Sequence, residues 1–455
     1  MSSKQTFIAV NRFGYGANSQ TVAHVKNDAL NWLLDQITPK TISHELKQLN
    51  YPWSSLLAAE QLAFYRELRD QEKTSIAKVQ QPMQQQTSDS TKEIINNQIN
   101  LAMSHSLSHL LATERPFFWR LVDFFSNHFS VSANGFNLRA LAPTLEMEAI
   151  APNLTGHFSD MLIAVESHPA MLLYLNNEKS IGPNSRVGKR GEGKKGINEN
   201  LAREILELHT LGITAGYTQN DVTELAKAIS GWGLSKKGLN GFEFRQIAHE
   251  PGSRQIFGKT YSAGGLKQGQ EILYDLSVNQ KTAEFVSTKL VKHFINDHPP
   301  QAIVDGMVIK WAETKGNIFE VVKAMLTNPL SWVEDSSKFK TPREFLISTC
   351  RVCGLESIKP SFLKSLAILG QQPFSAGSPA GYEDSKGFWA GPRAMMGRIE
   401  WAEHISKFVK KHPLAIGEQA LGPLLQKNTV LSIARAETKR QAVTLLLMSP
   451  EFQTR

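Results

Sequence analysis

The chain has 455 residues, of which 41% are hydrophobic and 20% are charged. This composition is typical of a folded globular protein and excludes disorder, collagen or a disulfide scaffold as the main class. The basic residues outnumber the acidic residues by only 50 to 42. Such an excess would favour an anionic partner, for example a nucleic acid, only if it clustered on one surface.

The sequence carries no pattern of a signal peptide or a membrane span. Only four apolar residues, Phe7 to Val10, precede Asn11 and Arg12, and this run is shorter than the apolar region of a signal peptide. No stretch approaches 18 consecutive apolar residues, so we predict no transmembrane helix. We expect a cytoplasmic protein, or one that is exported together with a partner.

Apolar residues recur at three- and four-residue spacing through most of the chain, which predicts a mainly α fold. We expect one large multi-helical domain over residues 1–455, with long loops. Residues 70–100, rich in Gln, Ser, Lys and Thr, are predicted to form a mobile Gln-rich loop. Glycine-rich loops are expected at 181–196, which is also basic, and at 375–392. Alternating apolar and polar residues near 238–260 predict a small β-hairpin.

Several histidines lie in segments with helical periodicity. His105 and His109 are four residues apart, a spacing that can place two imidazoles on one metal ion. His128 continues an apolar stripe, so we expect it to be buried or to line a pocket. One hypothesis is a metal site formed by these three histidines, and the alternative is a structural role for each. His209 falls on the apolar face of its helix, which favours a core histidine.

The segment from Asn198 to Gly212 contains the clearest charged pattern. Asn198 is suited to begin a helix and Gly212 to end it. Glu199, Arg203 and Glu207 follow each other at four-residue steps and therefore share one stripe, which we call the 199–207 ladder. On a solvated helix this ladder would form modest ion pairs. If it were buried, one glutamate would be available for proton transfer or as a ligand.

A basic loop precedes that helix. Five of its side chains are candidates for binding an anion: Arg186, Lys189, Arg190, Lys194 and Lys195. The loop matches part of a phosphate-binding pattern, but Lys195 replaces the required Ser or Thr and no strand precedes it. An anion could still be held at the N-terminus of the following helix, and the alternative is a solvated run of charges.

Short motifs are spread from the start of the chain to its last residues. They are Arg12-Phe13-Gly14-Tyr15-Gly16, Asn127-His128-Phe129, His168-Pro169-Ala170-Met171, Asn198-Glu199-Asn200 through Leu211-Gly212, Tyr217 through Val222, Gly231-Trp232, and Ser449-Pro450-Glu451-Phe452. Together they resemble the bacterial domain-of-unknown-function 1800 family. Where the family pattern has Trp-His before Asn-His-Phe, this chain has Phe125 and Ser126, so a paired histidine is missing there.

The resemblance implies a mostly helical protein, and it implies no established activity. Genes of this family often lie beside genes for sulfatase-like proteins that are exported through the twin-arginine route. The resemblance therefore implies a sulfatase-like protein encoded by a neighbouring gene as a partner, and co-export with that partner.

Two functions remain open from the sequence. The first is a helical binding or accessory protein that acts with a neighbouring-gene product. The second is a hydrolytic or metal-assisted enzyme whose catalytic candidates are His128 and the three residues of the 199–207 ladder. The two are distinguished by whether these four side chains converge at an open cavity. The sequence identifies no cofactor.

Overall fold

A computed structural model describes residues 3–25, 28–76, 85–190, 196–235, 241–334 and 338–455. Within these ranges the fold is mainly helical, as the sequence predicts, and the strands form two small antiparallel sheets. Among the described helices, none combines the length and the apolar character that crossing a bilayer requires.

Helices in the first part of the chain are α1 Ser3–Ile8, α2 Ser19–Val25, α3 Ala29–Asp35, α4 Pro39–Leu49, α5 Ser55–Ile76, α6 Gln85–Ala112, α7 Pro116–His128, α8 Phe136–Leu145, α9 Phe158–Glu166 and α10 Pro169–Tyr174. The central helices are α11 Arg186–Arg190, α12 Asn200–Glu204, α13 Gln219–Ala228, α14 Leu266–Ser277, α15 Gln280–Phe294, α16 Gln301–Thr314 and α17 Ile318–Thr327. The C-terminal helices are α18 Pro342–Val352, α19 Ser361–Ile368, α20 Lys386–Trp389, α21 Pro392–Ser406, α22 Pro413–Leu421, α23 Lys427–Ala434, α24 Lys439–Leu447 and α25 Pro450–Gln453. Segments of π-helix lie at Ala9–Phe13, Glu146–Ile150 and Ile205–His209.

Local sequence sets many of the helix starts. Helix α4 begins with a proline, and the preceding Thr38 accepts a hydrogen bond from the backbone N–H of Thr41. Helix α18 also begins with a proline, and Thr341 and Glu344 bond each other's backbone N–H groups in a capping box. These contacts satisfy donors that the first turn of a helix leaves unpaired.

The hairpin predicted near 238–260 is confirmed, and a further antiparallel pair, which begins before that segment at residue 232, lies next to it in the chain. Strands β1 (Trp232–Leu234) and β2 (Phe242–Phe244) form one antiparallel pair, and β3 (Arg254–Ile256) and β4 (Lys259–Tyr261) form the other. The turn between β3 and β4 consists of Phe257 and Gly258, both at positive φ, as a two-residue hairpin turn requires. Residues 236–240 lie outside the described part of the chain.

The prediction of a Gln-rich loop at 70–100 is wrong for most of that segment. Helix α5 continues to residue 76 and α6 begins at residue 85, and only 77–84 lie outside the described residues. Glutamine and lysine are good helix formers, and Ile95 and Ile99 are completely buried. The segment is therefore helical because good intrinsic propensity is combined with a few buried anchors.

The basic segment 181–196 is likewise not a continuous loop. Helix α11 occupies residues 186–190, and residues 191–195 lie outside the described part. Elsewhere, one connected cluster of buried apolar side chains includes residues from Ala9 to Phe452. This cluster is consistent with the single domain that we predict.

Helix α7 lies within the hydrophobic core. Phe117 and Phe125 are at most 1% exposed, and Phe13 packs on Phe117 with ring centroids 5.8 Å apart. Phe13 also stacks on Phe294 of α15 at 5.9 Å. The polar side chains of α7 are therefore held by a helix that aromatic packing fixes in place.

Two neighbouring isoleucines test the packing of the Gln-rich helix. Ile95→Ala should lower the free energy of unfolding by about 2–5 kcal/mol, because it removes a fully buried side chain. Ile94 is 57% exposed, so Ile94→Ala should change that free energy by less than about 0.5 kcal/mol. Urea unfolding measures both, and equal effects would contradict a packed α6.

Candidate functional site

The 199–207 ladder lies on a partly exposed stripe. Arg203 is 3.4 Å from Glu199 and 3.5 Å from Glu207, and the three side chains are 24–39% exposed. Two side chains of α13 extend the contacts, since Gln219 donates to Glu199 at 2.8 Å and Thr223 does so at 2.7 Å. The ladder therefore links α12 to α13. Of the two alternatives from the sequence, a solvated set of ion pairs describes it better than a buried one.

His105 and His109 do not share a site, although they lie on one helix. His105 donates from Nε2 to the carbonyl oxygen of Leu49 at 2.8 Å, whereas His109 Nε2 is 2.7 Å from Glu45 Oε1. In the described part of the chain, no group of three or more His, Cys, Asp or Glu side chains is arranged to hold a metal ion. The metal site suggested for these two histidines and His128 is thus not formed by those residues, because they turn toward separate partners.

The anion candidates are only partly described. Arg186, Lys189 and Arg190 are exposed on α11. Lys194 and Lys195 lie outside the described residues. Anion binding by this group stays a prediction.

His128 is buried at the end of α7, with 1% of its surface exposed. Its Nε2 is 3.1 Å from the carbonyl oxygen of His209, and a carbonyl only accepts, so Nε2 carries the hydrogen. Nδ1 then accepts a hydrogen bond from Lys289 Nζ at 3.0 Å. Burial, helped by the charge of Lys289, lowers the pKa of His128 well below its usual value, and the ring is neutral. The described hydrogen bonds of His128 do not include the 199–207 ladder.

His209 is completely buried, as its place on the apolar face indicates. Its Nδ1 is 2.7 Å from Oε1 of Glu166, which is completely buried as well. His209 ends the π-helical segment Ile205–His209, and Glu146 begins the segment Glu146–Ile150. Such segments are rare and are frequently found at functional sites.

A polar cavity lies between α7, α18 and the loop that follows Gln371. Its volume is about 90 Å³, and we call it the carboxylate cavity. Acidic, basic and neutral polar side chains line it, and they include Asp123, Glu146, Arg343, Gln371, Tyr382 and Asp384. No motif or spacing in the sequence predicts that these residues line one cavity.

Asp123 on α7 is fixed from two sides. Arg343 Nε lies 3.0 Å from Oδ1 of Asp123, and the hydroxyl of Tyr15 donates to Oδ2 at 2.5 Å. Burial and the adjacent Asp123 raise the pKa of Tyr15 well above its usual value, so the hydroxyl keeps the proton that it donates. Asp123 is therefore held in one orientation at the cavity wall.

Glu146 is a second carboxyl group of the same cavity and is only 9% exposed. Ser126 donates to its Oε1 at 2.6 Å. Burial raises the pKa of Glu146 above its usual value, although the charge of Arg343 and the bond from Ser126 oppose the shift. A carboxyl group that keeps its proton at higher pH can donate it to a bound molecule.

The buried His293 and the partly buried Asp384 form a pair at the wall of the cavity. His293 Nδ1 is 2.7 Å from Asp384 Oδ2, and Arg120 Nη2 is 3.2 Å from His293 Nε2. Burial lowers the pKa of His293 to about 3. The ring is therefore neutral at pH 7, with its hydrogen on Nδ1 and with Nε2 accepting from Arg120.

A second cavity, of about 160 Å³, adjoins the first, and five residues line both: Asn127, His293, Tyr382, Glu383 and Asp384. We call it the lysine cavity, because Lys289 and Lys292 line it. His128 lines it too. Of the four catalytic candidates from the sequence, His128 alone lines either of these two cavities, and it lines the lysine cavity.

Asn127 on α7 holds the loop that contains Gly381 and Tyr382, and this loop lines both cavities together with α7. Asn127 Nδ2 donates to the carbonyl oxygen of Tyr382 at 2.9 Å, and the N–H of Tyr382 donates to Asn127 Oδ1 at 2.7 Å. Gly381 has φ +81°, and a Cβ there would lie 2.3 Å from the carbonyl oxygen of Asn127. Each residue of the Asn-His-Phe motif thus has its own role. Asn127 clamps the loop, His128 contacts Lys289, and Phe129 is buried in the core.

Two features of the sequence lie in this region, although neither predicts a site. The motif at residues 12–16 places Gly14, whose carbonyl oxygen accepts from Arg120 Nη1 at 3.2 Å, next to Tyr15, which bonds Asp123. The glycine-rich loop at 375–392 was predicted as a loop but not as the source of acidic site residues.

The fold and these cavities define a mainly helical protein with buried ionisable groups at a small polar pocket. A family model described as protein of unknown function (DUF1800) matches residues 8–454. Because this match covers nearly the whole chain, the chain belongs to that family, which confirms the resemblance found in the sequence. No curated protein and no solved structure matches the chain.

Gly381→Ala tests the clamp between α7 and the loop. The variant should lower the free energy of unfolding by more than about 1 kcal/mol, because the new Cβ meets the backbone and the φ angle is unfavourable. It should also speed hydrogen exchange at the amide of Tyr382. Gly387→Ala is the matched control, because a Cβ there meets nothing within 4 Å. Similar exchange rates in both variants would contradict the clamp.

Glu146→Gln tests the raised pKa through stability. A carboxyl whose pKa rises on folding stabilises the fold below its unfolded value of 4.5, and this contribution is lost as the pH rises through the folded pKa. Glutamine does not titrate, so the variant does not lose stability in this way. The free energy of unfolding of the variant, relative to that of the wild type, should therefore increase as the pH rises from 4.5 to 7.5. Urea unfolding across this range measures the difference. Glu400, exposed on α21, supplies the control Glu400→Gln, and a pH-independent difference for Glu146→Gln would refute the shift.

Proposed function

We propose that the protein binds a small polar molecule in the carboxylate cavity and transfers a proton to it from Glu146. The observation that carries this proposal is a buried carboxyl group with a raised pKa in the same cavity as the Asp123–Arg343 ion pair. Titratable groups that burial and neighbouring charges perturb are concentrated at functional sites.

The size and lining of the cavity define the class of ligand. A volume of about 90 Å³ is well below the roughly 300–1,000 Å³ of pockets that hold drug-sized molecules, so the ligand has only a few non-hydrogen atoms. Arg343 can donate hydrogen bonds, and Asp123 and Gln371 offer acceptors. A small molecule that carries both hydroxyl or amine donors and a carbonyl or carboxylate acceptor fits this lining.

Proton transfer requires one group that holds a proton and neighbours that orient the substrate. Glu146 supplies the proton, since burial favours its neutral form. Asp123 is held by Tyr15 and Arg343, so its carboxyl group does not have to reorganise when a substrate binds. The enzyme hypothesis that we propose therefore rests on Glu146 and Asp123, whereas the 199–207 ladder links α12 to α13.

The alternative, an accessory protein that acts with a sulfatase-like partner, stays a prediction from the family resemblance. A native mass spectrum of protein purified gently from its own cells tests it. A stoichiometric second chain would support the accessory role, whereas added mass of a small molecule would support the carboxylate cavity.

A thermal-shift screen with small hydroxylated, amino and carboxylated compounds tests the proposed site. A ligand at a hundred times its Kd stabilises the fold by about 2.7 kcal/mol, so it should raise the Tm of the wild type and of Glu400→Gln. Glu146→Gln should lose the chemical conversion of that ligand, followed by its NMR spectrum, and Arg343→Gln should lose the Tm shift. Unchanged binding and conversion in both variants would place the site elsewhere.

A further inference from the structure

Lys289 is in an unusual environment in the lysine cavity. Its Nζ donates to the neutral ring of His128 at 3.0 Å, and its side chain is partly exposed to the cavity. Within the described residues, no carboxylate lies at ion-pair distance from this Nζ, whereas Lys292, one turn away, pairs with Glu383 at 3.2 Å. Lys289 therefore combines access from the cavity with the lack of a direct acidic partner.

The groups that face Lys289 come from three elements. His128 on α7 is neutral, Lys292 on its own helix α15 adds a repelling positive charge, and Asp384 in the loop attracts it from beyond contact distance. Burial is the largest effect, and together with Lys292 it outweighs Asp384 and lowers the pKa of Lys289 from 10.5 to about 8. With a pKa of about 8, roughly a tenth of this amine is unprotonated at pH 7. The unprotonated form is the one that reacts as a nucleophile.

We propose that Lys289 is a nucleophilic lysine that forms a Schiff base with the aldehyde or ketone group of a small polar substrate in the lysine cavity. The geometry that supports this proposal is the cavity itself, the reachable Nζ and its contact with His128. His128 holds the amine in place through its Nδ1 lone pair, so it acts as a positioning residue.

The reaction balances without any further reagent. The nitrogen lone pair of Lys289 forms a bond to the carbonyl carbon, and the carbonyl π electrons move to the oxygen, which takes the proton that the nitrogen loses. The carbon–oxygen bond of this carbinolamine then breaks, and the oxygen leaves as water with a second proton from the nitrogen. The product is a carbon–nitrogen double bond, and nothing is oxidised or reduced.

The inference goes beyond the proposed function and does not depend on it, because Glu146 does not line the lysine cavity. Failure of ligand conversion at Glu146 and failure of Schiff-base formation at Lys289 are thus separate results.

Reductive trapping tests the proposal on the full chain. The protein is incubated at pH 7.5 with glycolaldehyde and sodium cyanoborohydride, and peptide mapping by mass spectrometry gives the labelling rate of each lysine. Lys289 should be labelled at least about tenfold faster than Lys292, because a fall in pKa from 10.5 to about 8 increases the unprotonated fraction roughly a hundredfold. Lys292 is the matched comparison, since it lines the same cavity on the same helix.

The pH profile and two variants complete the test. The labelling rate at Lys289 should rise with a midpoint near pH 8. Lys289→Arg should remove the fast-labelled site while Lys292→Arg keeps it. If Lys289→Arg does not fold, the wild-type peptide map decides alone. Labelling of Lys289 no faster than that of Lys292 would overturn the proposal.

Discussion

The position of the side chains around the carboxylate cavity depends on the buried guanidinium of Arg120. Its Nη2 lies 2.7 Å from Glu344 of α18 and 3.2 Å from the ring of His293 on α15, and its Nη1 bonds the carbonyl oxygen of Gly14 near the start of the chain. Arg455, near the C-terminal end, also contacts Glu344. One side chain of α7 thereby joins segments from across the whole sequence.

Such a buried network imposes a strong constraint on the sequence. The side chains of Arg120 and Glu344 are 1% and 4% exposed, and removing one partner of a buried pair costs about 3–5 kcal/mol, since it leaves the other charge without compensation. Well-packed apolar residues can often replace a complete buried pair at no cost to stability. The network also orders the wall of the carboxylate cavity, because His293 links Arg120 to Asp384 there.

The same burial that makes the network costly gives the neighbouring groups their chemical properties. Glu146 keeps its proton to higher pH because its carboxyl group is withdrawn from water, and Lys289 loses its proton at lower pH for the same reason. An acid and an amine with shifts in opposite directions thus lie at adjoining cavities. The clamp between Asn127 and Tyr382 lies at both cavities, so it positions the loop for both groups.

The sequence predicted the fold class and several local features, because these depend on periodicity and on helix caps. Helical spacing correctly indicated a mainly α protein, and the apolar stripe correctly indicated that His128 is buried. The prediction of a Gln-rich loop is wrong because a polar composition does not by itself prevent a helix, and Gln and Lys favour helices.

The site itself could not be derived from local pattern. The 199–207 ladder is a catalytic candidate in the sequence because its three members are regularly spaced. In the structure it lies on a partly exposed stripe. The cavity residues, by contrast, come from positions as distant as Asp123, Glu146, Arg343 and Asp384. Tyr15, which bonds Asp123 from outside the cavity lining, comes from near the start of the chain. Only tertiary packing brings them together, and no spacing rule in a single sequence records such contacts.

The most direct test of the network is the protonation state of His293. If Arg120 donates to Nε2 and Asp384 accepts from Nδ1, the ring is one neutral tautomer with its hydrogen on Nδ1. Long-range proton–nitrogen NMR on protein labelled with ¹⁵N-histidine, assigned with His293→Gln, reads this directly. We expect a protonated Nδ1 and an unprotonated Nε2 in His293. Because the pKa of His293 is about 3, the ring should not titrate between pH 5 and 8. Titration near pH 6.5 with exchanging tautomers would contradict it.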